Sequence, residues 1–312
     1  MKYQAKIYTL LLIVLSYMAQ GQGCSDAGFC TMGAMKPDQA FHKKVDIKLK
    51  SIELSQYVAT TRFGDVVLAY TADVSVALGN KTAIQGKLPY MLVYGELANT
   101  NGVGDVSFSL TQSIVKKPSY QFNLTLGTKI PTGKATKLSN DGRPLPMYYQ
   151  STLGTYDLIL GASVISKKWL FAVGIQHPFN EIKNGFKWGA WTDSDLTEKA
   201  NQYPVSQFLK RGTDVMLRLE RNFRFSRFNV NIGLLPIYRL NQDVITAPKT
   251  GERVESVDSN GLALSAILGM GYRFSTRSAL KFVLGARLIR RAKNPDGLSR
   301  ELVNTIGYQF NF

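Results

Sequence analysis

The amino-acid sequence predicts an all-β fold, a transmembrane antiparallel up-and-down β-barrel of about twelve strands. Three observations point there. Stretches of 9 to 15 residues alternate apolar and polar side chains, the period of a strand. After the N-terminus no run holds 18 consecutive apolar residues, which excludes a helical membrane protein. The connections between alternating stretches are by turns short and long, as in barrels with tight periplasmic turns and large external loops. A soluble sandwich also alternates, but its strands are commonly about five or six residues long.

The chain opens with Lys2 and Lys6 before an apolar run from Ile7 to Ala19, followed by the small residues of Ala19-Gln20-Gly21. This is the pattern of a signal peptide over residues 1–21, and it places the protein beyond the cytoplasm. Anchoring of a lipoprotein at Cys24 is the competing reading, although Gly21-Gln22-Gly23 lacks the apolar residue such a cleavage site carries. Residues 22–44 form an N-terminal periplasmic or plug segment with Cys24, Cys30, Met32, Met35 and His42. In an oxidising compartment a Cys24–Cys30 disulfide is the leading expectation. A soft-metal site lacks a tight spacing signature, so neither metal nor cofactor is expected.

Residues 45–312 form the barrel, with strands expected near 45–58, 65–78, 84–95, 104–115, 119–130, 153–165, 168–178, 208–221, 227–239, 260–274, 279–290 and 299–312. In the fourth, Val106, Phe108 and Leu110 alternate with Ser107, Ser109 and Thr111. In the eighth, Val215, Leu217 and Leu219 oppose Asp214, Arg218 and Glu220, so the wet face carries charge. The same phase places Asp73, Asp105, Lys129, Asp157, Asp214, Arg218, Glu220, Arg239, Arg273, Lys281, Arg287 and Glu301 inside, as candidates for lining a solute path. Six acids and six bases there make an ion-pair mesh, with a selective charged constriction as the alternative.

The chain carries 38 basic and 22 acidic residues, a net charge of +16. Export argues against a nucleic-acid partner. Lys81, Lys116, Lys117, Lys167, Lys168, Arg224, Arg227 and Arg277 crowd the short turns without an acid among them, so the periplasmic rim is the basic end. Solvated turns explain this, as does contact with anionic phospholipid head groups of the outer membrane's inner leaflet or an anionic periplasmic partner. The external loop from Phe179 to Gln207 holds Phe186, Trp188, Trp191 and Tyr203, suited to packing over the mouth or to stacking on a ligand. The terminal Phe312 follows Tyr308 and Phe310 on the apolar face and resembles the aromatic ending read by the barrel-assembly machinery.

Gly102, Gly104 and Asp105 open one strand, and Pro131, Thr132 and Gly133 close the next. With the hairpin of residues 153–177, this stretch resembles the outer-membrane proteins of the meta-pathway of phenol degradation family. The resemblance implies an outer-membrane channel or transporter for small, often hydrophobic or amphipathic solutes, and no catalytic residues. A docking subunit of an envelope complex is the alternative. A lipid-active barrel enzyme such as outer-membrane phospholipase A is disfavoured, because neither Ser163 nor Ser206 stands in an H-x-S pattern.

Overall fold

The computed structural model describes Met32, Met35 and residues 48–312; the expected signal peptide and most of the 22–44 segment lie outside the described residues. The strands are β1 (Lys48–Thr60), β2 (Val66–Leu78), β3 (Thr82–Tyr94), β4 in two parts (Asn99–Val103 and Val106–Lys116), β5 (Tyr120–Ile130) and β6 (Asp157–Ser166). There follow β7 (Trp169–Pro178), β8 (Asp214–Arg224), β9 (Phe228–Arg239), β10 (Gly261–Arg273), β11 (Ser278–Ile289) and β12 (Leu302–Asn311). Each pairs antiparallel with its neighbours, and β1 meets β12 in an unbroken register from Ser51↔Asn311 to Thr60↔Leu302. The result is a closed twelve-stranded barrel. Closure removes the free edge from the wall, a condition that a strand structure must meet in hydrocarbon, and the Asn99–Val103 extension at the loop end pairs with β3 alone.

Two strands depart most from the expected bounds. β4 begins earlier, at Asn99, and breaks at Gly104 and Asp105: Tyr90 faces Val103 whereas Lys87 faces Ser107, so one extra residue sits in β4. β8 begins later, at Asp214. Leu209 bridges to Ile182 and Lys210 to Val244, so the residues before Asp214 pair within the loops instead of with the wall. Besides the long loops over 131–156, 179–213 and 240–260, a fourth extended connection spans 290–301 and belongs to the same end.

The outer face is apolar, with Leu54, Leu88, Leu126, Phe171, Leu217 and Ile306 all exposed. Aromatic pairs ring the short-turn end. Trp169 stacks on Phe171, Phe225 on Phe228, and Tyr272 meets Phe274 edge to face. Phe312 does the same with Phe310. Tyr94, Tyr156, Phe179 and Tyr238 are exposed at the other end. An apolar band between two aromatic girdles is how a barrel matches a bilayer.

Two expectations are corrected. Arg273 does not line the interior: it ends β10 at the short-turn rim and is exposed, because the alternation continues there beyond the enclosing wall. No Cys24–Cys30 disulfide is found, and both cysteines lie outside the described residues. A spacing of six residues and an oxidising compartment permit such a bond without requiring it.

The orientation is open to test. Asn140 and Lys117 are exposed at opposite ends of the barrel. With cysteines introduced at these positions, a membrane-impermeant thiol reagent should label Asn140→Cys on intact cells and spare Lys117→Cys. The reverse pattern would invert the barrel.

Candidate functional site

The strands project alternate side chains into the lumen, and this interior is the candidate site. Of the twelve charged residues assigned inward, nine are buried, Lys281 and Glu301 are half-buried, and Arg273 is excluded. The buried charges are paired. Asp73 faces Lys87 at 3.6 Å and Asp105 faces Lys129 at 3.7 Å. Lys281 reaches Glu53 at 3.2 Å, Arg287 pairs with Glu301, and Arg218 with Glu220. Asn231 Nδ2 completes the last pair by donating to Glu220 at 3.0 Å.

The wall between these pairs is mixed, with one aliphatic cluster on β6 to β10 and small hydroxyls and amides weighted toward β1 to β5. On β6 to β10, Ile159, Leu170, Ala172, Met216, Leu235 and Ile267 form one buried aliphatic strip. Across β1 to β5 Ser51, Gln85, Ser107, Ser109, Asn123 and Thr125 are buried together with Ala69, Ala77 and Val93, while Ser163, Gln176, Asn231 and Ser265 are buried on β6 to β10. Thr111 bonds Thr125 at 2.9 Å, and Ser113 donates to Asn123 at 2.8 Å. Met32 and Met35 lie against the aliphatic strip and are fully buried. Gly127 and Gly161 make room for them, since a Cβ there would stand 2.8 Å from Met32 Cε and 2.9 Å from Met35 Sδ. Arg218 Nη1 donates to the Met35 carbonyl oxygen at 3.4 Å. The polar sequence phase located the charges; it carried no signal for this methionine contact.

The loop end is covered by two structures. On the β1–β3 side, Tyr148, Tyr149, Phe186, Trp191 and Tyr203 pack on Val67 and Val93. Asp65, buried in the β1–β2 turn, accepts from Tyr149 at 2.6 Å and Tyr203 at 2.7 Å. Burial, reinforced by the Asp65 carboxylate, pushes both tyrosine hydroxyls well above their ordinary pKa, so they remain donors. Phe186, Trp191 and Tyr203 therefore serve as packing, while Trp188 stays 45% exposed and donates its Nε1 to the Tyr203 carbonyl. On the other side, loop residues join strand ends. Arg239 binds Asp214 at 2.7 Å, Asp243 at 2.8 Å and Asp296 at 2.7 Å. Arg211 reaches Asp157 at 3.2 Å, and Arg291 reaches Asp214 at 3.6 Å. Asp157, Asp214 and Arg239 were legible from strand phase; Asp243, Arg291 and Asp296 sit in aperiodic loops and were not, and Arg211 fell in the expected 208–221 strand on the outward phase.

The two glycine motifs meet in space. Thr132 Oγ1 donates to the Gly104 carbonyl at 2.5 Å, and a Cβ on Gly133 would lie 2.1 Å from the Val103 carbonyl. Asp105 accepts from Thr152 Oγ1 and from the Leu153 amide at 3.1 Å. Together they break β4 and turn the 131–156 loop over the mouth.

No family model matches the chain, and no curated protein matches it either. Among solved structures, the NanC porin is 11% identical, with 85% of this chain and 100% of that chain covered and a TM-score of 0.47. The translocator domain of autotransporter NalP from Neisseria meningitidis is 10% identical, with 87% and 90% covered and a TM-score of 0.46. The Ralstonia pickettii toluene transporter TbuX is 10% identical, with 95% and 100% covered and a TM-score of 0.43. At this level the likeness is to barrel architecture alone.

The charge lattice has a measurable pH signature. Burial opposes ionisation of Asp296, yet Arg239, Arg211 and Arg291 hold its carboxyl below the ordinary value. A depressed carboxylate stabilises the fold above the unfolded pKa, near 3.9, and loses that contribution as pH falls through its folded value. Asp296→Asn should cost about 3 kcal/mol at neutral pH, and its deficit should shrink below about pH 4. Unfolding followed on heat-modifiable gels at several pH values checks this; a deficit that is constant with pH would remove the ionic account.

Proposed function

We propose that the protein is an outer-membrane channel for small amphipathic solutes. The observation that carries the reading is the mixed lumen wall, with an aliphatic strip on β6 to β10 and buried hydroxyls and amides weighted toward β1 to β5. A molecule with one apolar and one polar face keeps both satisfied along such a wall, whereas a bare ion meets fixed, already paired charges. The apolar band and paired aromatic girdles support the membrane location. The resemblance to the meta-pathway of phenol degradation family points to the same solute class, and the exposed Phe312 suits recognition by the assembly machinery.

The reading is non-enzymatic. His177 lies on the outward face of β7, bonded to Thr213 Oγ1 at 2.8 Å, while Ser163 points into the lumen toward Asn123. These groups are separated by the sheet itself. Met32 and Met35 occupy the surface that a solute's apolar face would use, so passage requires their displacement.

Liposome swelling and planar-bilayer recording test the proposal. Wild-type protein should admit small uncharged amphipathic solutes and show low ionic conductance. Met32→Ser combined with Met35→Ser should increase both uptake and conductance. Arg218→Ala leaves Glu220 without its guanidinium and should raise cation selectivity while weakening the barrel. No uptake beyond that of protein-free liposomes, in wild type and variants alike, would end the channel reading.

A further inference from the structure

A cleft of about 560 Å³ opens at the short-turn rim, where the β4–β5, β6–β7 and β8–β9 turns converge. Its cations are Lys167, Lys168, Arg221 and Arg224. Among the described residues none of the four forms an ion pair. That sets them apart from the lumen, where buried charge is matched by charge. The nearest acid along β8, Glu220, faces inward and is held by Arg218.

Strand phase gives Arg221 an unusual position. It alternates with Leu217 and Leu219 on the lipid-facing side, directly opposite Trp169 in the β7–β8 register. Its guanidinium lies 4.8 Å from the Trp169 ring centre and 5.7 Å from that of Phe223, within cation–π range of both. A half-buried cation with no acid, set between rings at the girdle level, is positioned for an anion from the membrane. The turn beside it is rigid. Ser166 Oγ accepts from the Trp169 amide at 3.0 Å, and the Asn222 amide donates to the Lys168 carbonyl at 2.7 Å. Trp169 also stacks on Phe171, so an apolar track leads from the cationic cleft into the hydrocarbon band.

We infer that this cleft binds the phosphodiester head group of an acidic phospholipid of the inner leaflet. Arg221 and Lys168 hold the phosphate, and an acyl chain lies along Trp169 and Phe171. A guanidinium meets phosphate oxygens in a two-pronged geometry, and clustered lysines add to the attraction. A free phosphate would use the cations and leave the aromatic track idle, which favours the lipid. The inference rests on the membrane placement proposed above but not on solute passage.

Native mass spectrometry of the full chain in detergent, titrated with phosphatidylglycerol or phosphatidylcholine, provides the test. Phosphatidylglycerol should remain bound preferentially. Arg221→Gln and Lys168→Gln should each weaken retention by about fivefold, while Arg277→Gln, on a basic turn outside the cleft, should leave it unchanged. Unaltered heat-modifiable migration confirms that each variant is folded. Equal retention of the two lipids, or insensitivity to both cleft variants, would overturn the site. Complete displacement by millimolar inorganic phosphate would assign the cleft to a free anion and overturn the lipid. Failure here with solute uptake intact would leave the channel reading standing.

Discussion

Everything in this molecule depends on the pairing of β1 with β12. A bilayer supplies no water to unpaired amides and carbonyls, so a sheet crosses it only if the first strand finds the last. The register from Ser51↔Asn311 to Thr60↔Leu302 does this over ten residue pairs. Once the circle is closed, the side-chain period of two sorts the whole chain. One set of residues faces lipid, and the other is confined to a narrow lumen where each charge must find a partner.

That confinement explains the charge lattice. An isolated buried guanidinium would be strongly destabilising, but Arg239 meets Asp214, Asp243 and Asp296 together. Two of these acids come from different long loops, so the electrostatics that neutralise the strand end also tie the loops down. Burial pushes Asp243 above the ordinary carboxylate value against the pull of Arg239, while Asp296, facing three guanidinium groups, is held below it. The lattice thus has a carboxyl that is reluctant to ionise next to one that is reluctant to protonate.

The aromatic lid follows a different rule. Tyr149 and Tyr203 bring their rings to the Val67 and Val93 surface and their hydroxyls to Asp65, satisfying apolar and polar demands in one contact. Below it the lumen mixes aliphatic and polar side chains, and Met32 and Met35 pack on the aliphatic strip. Thioether side chains are well suited to this, being unbranched and adaptable to an irregular wall. In the short-turn cleft Lys167, Lys168, Arg221 and Arg224 have no counter-charge among the described residues, at the level where lipid head groups lie.

By itself the sequence determined the strand count, the inward and outward faces and the basic character of the short-turn end. Each of these rests on alternation or on local composition, which a period of two makes readable from neighbours such as Val215, Leu217 and Leu219 against Asp214, Arg218 and Glu220. Only the tertiary structure decided which charges pair, that Arg273 escapes the wall, that β4 breaks at Gly104 and Asp105 to meet Thr132, and that Met32 and Met35 enter the lumen. Asp243, Arg291 and Asp296 lie in loops with no period, Arg211 falls on the outward phase of an expected strand, and their partners are far away in sequence. Their roles are set by where closure of the barrel brings the strand ends together, a property of the circle and not of any one segment.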